Sequence, residues 1–94
     1  MFKNLDPLLH SQLRLAIVSL AVSEGKIDFA RIKEVTGASS GNISVQLKKL
    51  SQAEYIIVEK SFKDNYPNTS IRVTSKGLTA FENYVNALKQ YIEP

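Results

Sequence analysis

Ser40-Gly41-Asn42-Ile43-Ser44-Val45-Gln46-Leu47-Lys48-Lys49-Leu50 reads as a helix with two unlike sides. Ile43, Leu47 and Leu50 repeat at helical spacing and form the stripe such a helix buries. At about 100° per residue the opposite side carries Gly41, Asn42, Val45, Lys48 and Lys49, with Ser44 at one flank and Gln46 at the other. Just upstream, Gly37-Ala38-Ser39 makes a tight turn. Gly37 supplies a left-handed position, and Ser39 or Ser40 caps the helix. Downstream come two runs of β type, Tyr55–Phe62 and Thr69–Thr74, joined by the polar tip Lys63-Asp64-Asn65-Tyr66-Pro67-Asn68. The order is turn, helix, hairpin.

Before the turn, Phe29–Thr36 reads as a shorter helix with Phe29, Ile32 and Val35 on one side and Asp28 as its cap. Lys26-Ile27-Asp28 is an extended link, placed as a minor strand beside the hairpin. The first helix is expected over about 7–23, with Asp6 as N-cap, Pro7 in the first helical position and Gly25 as the stop. Its apolar residues fall in two arcs: Leu9, Leu13, Ala16, Ile17 and Leu20 in one, Leu8, Leu15, Val18 and Val22 in the other. The last helix, about 75–92, opens at Thr74 or Ser75. It carries Leu78, Phe81, Val85, Leu88 and Ile92 on one stripe, widened by Ala80, Tyr84, Ala87 and Tyr91. The expectation is a single domain, residues 1–94, mainly α with a small β-hairpin (α+β). The surplus apolar faces of the first and last helices make them the expected dimerisation elements, through Leu8, Leu15, Val18, Val22, Phe81, Tyr84, Val85, Leu88, Tyr91 and Ile92.

Composition narrows the function. Ninety-four residues at 44% hydrophobic suffice for one modest core. The net charge of +3 is unevenly placed. Ser40–Lys76 holds six cations and three anions, and the rest of the chain holds six of each. The basic half is the half with the turn, the helix and the hairpin, so a polyanion is the expected partner. With one histidine, His10, and no cysteine, a His/Cys zinc site cannot be built. No nucleophile has a base at a telling spacing, and no Lys-Ser or Lys-Thr follows Gly37–Gly41 to make a phosphate loop. The reading is therefore not an enzyme, with no catalytic residue, no metal and no cofactor. No apolar run reaches membrane-spanning length and the N-terminus lacks a signal core, so a cytoplasmic location is expected, without a membrane partner.

Each exposed residue type matches a groove of duplex DNA. Ser40, Gly41 and Asn42 stand at a helix N-terminus, where free N–H groups attract phosphate. Asn42 or Gln46 suits adenine, Val45 a thymine methyl, and Ser44 a base or a phosphate. Lys48 and Lys49 reach phosphates, and Lys60, Lys63 and Arg72 of the hairpin reach the backbone or minor groove. For Arg72 a cross-strand pair with Glu59 competes.

The combination resembles the small stand-alone winged helix-turn-helix transcriptional regulators related to the MarR and ArsR families. The carrying residues are Phe29 to Gly37, Gly41-Asn42-Ile43-Ser44, Leu47-Lys48-Lys49-Leu50, Ala53-Glu54-Tyr55-Ile56, Glu59-Lys60-Ser61-Phe62 and Thr74-Ser75-Lys76-Gly77. The resemblance implies a homodimeric repressor on a pseudo-palindromic double-stranded operator, with recognition helix 40–52 in the major groove and wing 60–72 alongside. Val45 departs from the basic or larger polar residue that related recognition helices carry. The resemblance also admits a small aromatic effector, for which these residues give no support of their own. The alternative is a winged-helix protein–protein interaction module without DNA binding.

Overall fold

The computed structural model describes residues 2–94. The elements are α1 (Gln12–Glu24), β1 (Ile27–Asp28), α2 (Phe29–Thr36), α3 (Ser40–Gln52), β2 (Ile56–Lys63), β3 (Tyr66–Val73) and α4 (Ser75–Ile92). β3 is central in an antiparallel sheet of order β1-β3-β2, so Lys26-Ile27-Asp28 does lie beside the hairpin.

Caps set most of the boundaries. The Asp28 side chain accepts from the Arg31 N–H, Ser39 from Asn42 and Thr74 from Gly77. Gly37 ends α2 at φ 69°, where a side chain would be strained. The first helix starts later than its sequence suggests. Ser11, not Asp6, is the N-cap, and Pro7–Leu9 form a separate turn. Asp6 is occupied elsewhere: its carboxylate accepts the Leu8 N–H at 2.9 Å and the Tyr55 hydroxyl at 2.5 Å.

The hairpin also differs from expectation. Pairing runs from Ile56↔Val73 to Lys63↔Tyr66, so both strands extend further and the tip is only Asp64-Asn65. Their φ angles are 53° and 67°, the pattern of a type I′ turn, whose twist matches that of the strands. Asx residues tolerate this region better than other side-chain-bearing residues, so a tight turn forms without glycine.

Leu9, Ile17, Val18, Ala21, Ile27, Ile32, Ile43, Leu47, Leu50, Ile56, Ile71 and Tyr84 close one core between the helices and the sheet. Val35, by contrast, is 47% exposed. Two residues expected at a dimer face belong to this core: Val18 is fully buried and Tyr84 is 5% exposed. Neither can reach a partner. Residues 2–10 explain part of this, because they run along α4. The Lys3 N–H donates to Gln90, the Tyr91 hydroxyl donates to the Lys3 carbonyl, and His10 Nδ1 pairs with the Tyr84 hydroxyl at 3.1 Å. Phe2 rests on Tyr91 at 4.9 Å between ring centroids. Leu8 packs against the core from the same segment.

α4 therefore buries Gly77, Tyr84 and Ala87. The stripe Leu78, Phe81, Val85, Leu88 and Ile92 turns away from that line. Phe81, Val85 and Leu88 are half-buried, while Leu78 and Ile92 remain 38% and 70% exposed.

Candidate nucleic-acid interface

The turn between α2 and α3 sets the exposed helix. Ile43, Leu47 and Leu50 pin α3 to the core, which leaves Gly41, Asn42, Ser44, Val45, Lys48 and Lys49 in solvent. Val45 is about half exposed, an apolar side chain presented to solvent. Lys33 of α2 donates to Ser40 Oγ at 3.0 Å and brings a further cation to the N-terminus of α3. A Cβ on Gly41 would meet nothing within 4 Å. Packing does not explain this glycine, and it costs helix propensity. What it leaves is open backbone beside the helix N-terminus, the arrangement a phosphate needs for close approach.

Gln46 differs from its neighbours. It is half-buried, and both ends of its amide are engaged. Arg14 donates to Gln46 Oε1 at 2.6 Å, and Gln46 Nε2 donates to Asn42 Oδ1 at 2.8 Å. Arg14 also donates through Nε to the Leu8 carbonyl at 2.6 Å. Gln46 is thus removed from the set of free contacts, and Asn42 stands in front of it.

The hairpin projects Lys60 and Phe62 on one face and Lys63 and Tyr66 on the other, as the register requires. Phe62 and Tyr66 are 78% and 74% exposed. The sequence pattern puts Phe62 inside a strand, and the structure puts it beside the tip; the Asp64-Asn65 pair, as a two-residue turn, is the signal for that position. Arg72 lies at the far end of the hairpin, opposite Ile57, and its Nε contacts Glu59 at 2.9 Å. Glu59 also draws Lys26 to 3.5 Å. The cross-strand pair engages Arg72 through Nε on a side chain that stays more than half exposed. Lys48, Lys49, Lys60 and Lys63 stay exposed, with no carboxylate within ion-pair distance among the described residues.

This geometry is a turn-linked pair of helices with a basic hairpin beside the second. Residues 13–92 match the family described as the winged helix DNA-binding domain. The chain belongs to that family. An uncharacterized protein of Methanocaldococcus jannaschii is 31% identical over 81 residues, 86% of this chain and 88% of that protein. Among solved structures, a transcriptional regulator homologue from Pyrococcus horikoshii superposes with a TM-score of 0.84 at 23% identity, covering 92% of this chain and 85% of that one. A cysteine-to-serine mutant of MarR from E. coli in complex with operator DNA gives 0.71 at 16% identity, covering 89% of this chain and 59% of that one. The winged-helix domain described here thus has the MarR-like regulator fold at about three fifths of MarR's length. The matched family is one of DNA-binding domains, and the fold is one shared with a transcriptional regulator homologue. No helix is long and apolar enough to cross a membrane, and no three acidic or histidine side chains converge among the described residues.

Proposed function

We propose that this winged-helix protein is a cytoplasmic, homodimeric, sequence-specific transcriptional repressor that binds a pseudo-palindromic operator. α3 enters the major groove, and the β2–β3 wing lies on the backbone or in the minor groove. The observation that carries this reading is the bare face of α3: Gly41, Asn42, Val45, Lys48 and Lys49 are all exposed, and Gly41 has open space above it. Phosphate contacts fall to Ser40, Gly41, Lys48, Lys49, Lys60 and Lys63, and base contacts to Asn42, Ser44 and Val45. Repression follows from occupancy, with two recognition helices about one duplex turn apart.

A second copy is the occupant we assign to the partly uncovered α4 stripe, with Leu15 and Val22 of α1 contributing. The stripe holds five large apolar side chains in line, and Leu78 and Ile92 are the most exposed among them. Light scattering of the full chain tests this part. The expected mass is twice the 10.5 kDa of one chain, falling to the single mass in Val85→Glu. A monomer that binds DNA one chain per duplex would overturn the dimer. A monomer indifferent to DNA at low salt would favour the protein-interaction module instead.

A further inference from the structure

The chain of hydrogen bonds from Arg14 through Gln46 to Asn42 has a fixed polarity. A guanidinium carries donors only, so the Gln46 atom that faces Arg14 must be its carbonyl oxygen. The other end of that amide is then Nε2, a donor, so the Asn42 atom that faces it must be Oδ1. What remains free on Asn42 is Nδ2, with two N–H groups. One cation on α1 thus decides which end of an amide on α3 is offered outward. Arg14 is itself anchored by its Nε on the Leu8 carbonyl, and it is half-buried, so its donors are held in place.

We infer that Arg14 is a positioning residue for base recognition, and that through Gln46 it makes Asn42 a donor, selective for a keto edge in the major groove. This inference rests on the DNA-binding reading above and refines it. A free asparagine contacts adenine bidentately, giving an N–H to N7 and accepting from N6. With Oδ1 turned inward to Gln46, Asn42 keeps its donor half. Purine N7 accepts equally from guanine and adenine, so the acceptors that discriminate are the exocyclic guanine O6 and thymine O4. Adenine and cytosine place an amine at the equivalent position. The four base pairs therefore split two against two at the Asn42 position: G·C and T·A on one side, A·T and C·G on the other. This partition is the same from either strand. Bidentate adenine reading would instead set A·T apart from the other three.

Gln46→Glu tests the polarity without removing Arg14's partner. A glutamate still accepts from Arg14, but its second oxygen is an acceptor too. Asn42 must then turn Nδ2 inward and Oδ1 outward. Arg14→Met removes the source of the polarity altogether.

The experiment is selection of full-length protein on a random duplex library, followed by anisotropy titration of the enriched duplex. Asn42→Ala identifies the base pair that Asn42 contacts, and all four pairs are then placed there. Wild type should bind one keto-matched set of two about tenfold more tightly than the other two. Gln46→Glu should invert that preference, and Arg14→Met should flatten it with the salt dependence on random DNA unchanged. A uniform loss of affinity across the four pairs in both variants would reduce Arg14 to a structural tie and overturn the inference, as would preference for A·T alone in wild type. If wild type enriches no sequence and binds random DNA without salt dependence, the DNA-binding reading itself fails. The two failures are distinguishable.

Discussion

Gly77 lies so close to Tyr55 that a β-carbon built on it would stand 2.1 Å from the Tyr55 carbonyl oxygen and 2.8 Å from Val73 Cγ2. Tyr55 is where the chain leaves α3, and Gly77 is in the first turn of α4. The same carbonyl accepts the Thr74 N–H at 3.0 Å, and Thr74 Oγ1 donates to the Glu54 carbonyl at 2.6 Å. The exit of the recognition helix and the start of α4 are thus one junction. Gly77→Ala must push backbone against backbone, so it should destabilise by about 1–3 kcal/mol or more in urea unfolding. Stability equal to wild type would contradict the close approach.

Tyr55 also supplies a pH response. Burial pushes its phenol up to about 12, and the hydrogen bond to Asp6 with that carboxylate's charge adds to the rise. The folded state therefore holds the proton more tightly than the unfolded chain, whose tyrosines titrate near 10. The contribution is fully present below about pH 10 and is lost as pH rises from there through about 12. Tyr55→Phe should show a shallower fall in stability over that window, read by thermal melts at successive pH values. An unchanged alkaline slope would show that the tie to Asp6 carries no linkage.

Gly41→Ala separates stability from binding. Nothing occupies the space its methyl group would fill, so helix propensity should raise stability by about 0.5–1 kcal/mol. The same methyl group would stand between the α3 N-terminus and a phosphate. Affinity for duplex DNA should fall while the melting temperature rises. A variant both more stable and equally tight would remove Gly41 from the interface.

Asn65→Gly addresses the wing. Residue 65 sits at φ 67°, where glycine carries no side-chain penalty. The substitution should stabilise the hairpin by a few tenths of a kcal/mol, up to about 1, and sharpen amide-exchange protection in β2 and β3. Loss of protection there would contradict the two-residue turn.

Much of this was legible in the sequence because local chemistry and tertiary fold agree. Ile43, Leu47 and Leu50 announce the buried side of α3, and Asp28, Gly37, Ser39 and Thr74 cap or stop helices where their side chains favour it. Where reading failed, a distant partner decided. Asp6-Pro7 has the local form of a helix start, but Asp6 is engaged by Tyr55, forty-nine residues away in sequence. Val18 and Tyr84 sit on arcs that a single helix cannot rank as inner or outer; the rest of the core and the segment leading to His10 rank them. Gln46 is a polar residue on a helix flank, and nothing local says that Arg14 will occupy it. Arg72 is the mixed case: its competing partner Glu59 is visible in the strand pattern, and that pair forms.

On the proposed function, the exposed faces of α3 and the wing bind duplex DNA through Lys48, Lys49, Lys60 and Lys63. The most direct test is anisotropy titration of a random-sequence duplex from about 50 to 200 mM salt, for wild type and for each lysine-to-alanine variant. With these four lysines on each protomer of a dimer, wild-type affinity should fall about 10⁴-fold across that range, and the slope should become shallower by roughly 1.8 in each variant, which removes one lysine from each protomer. Absence of binding at low salt, or four variants with the wild-type slope, would contradict it.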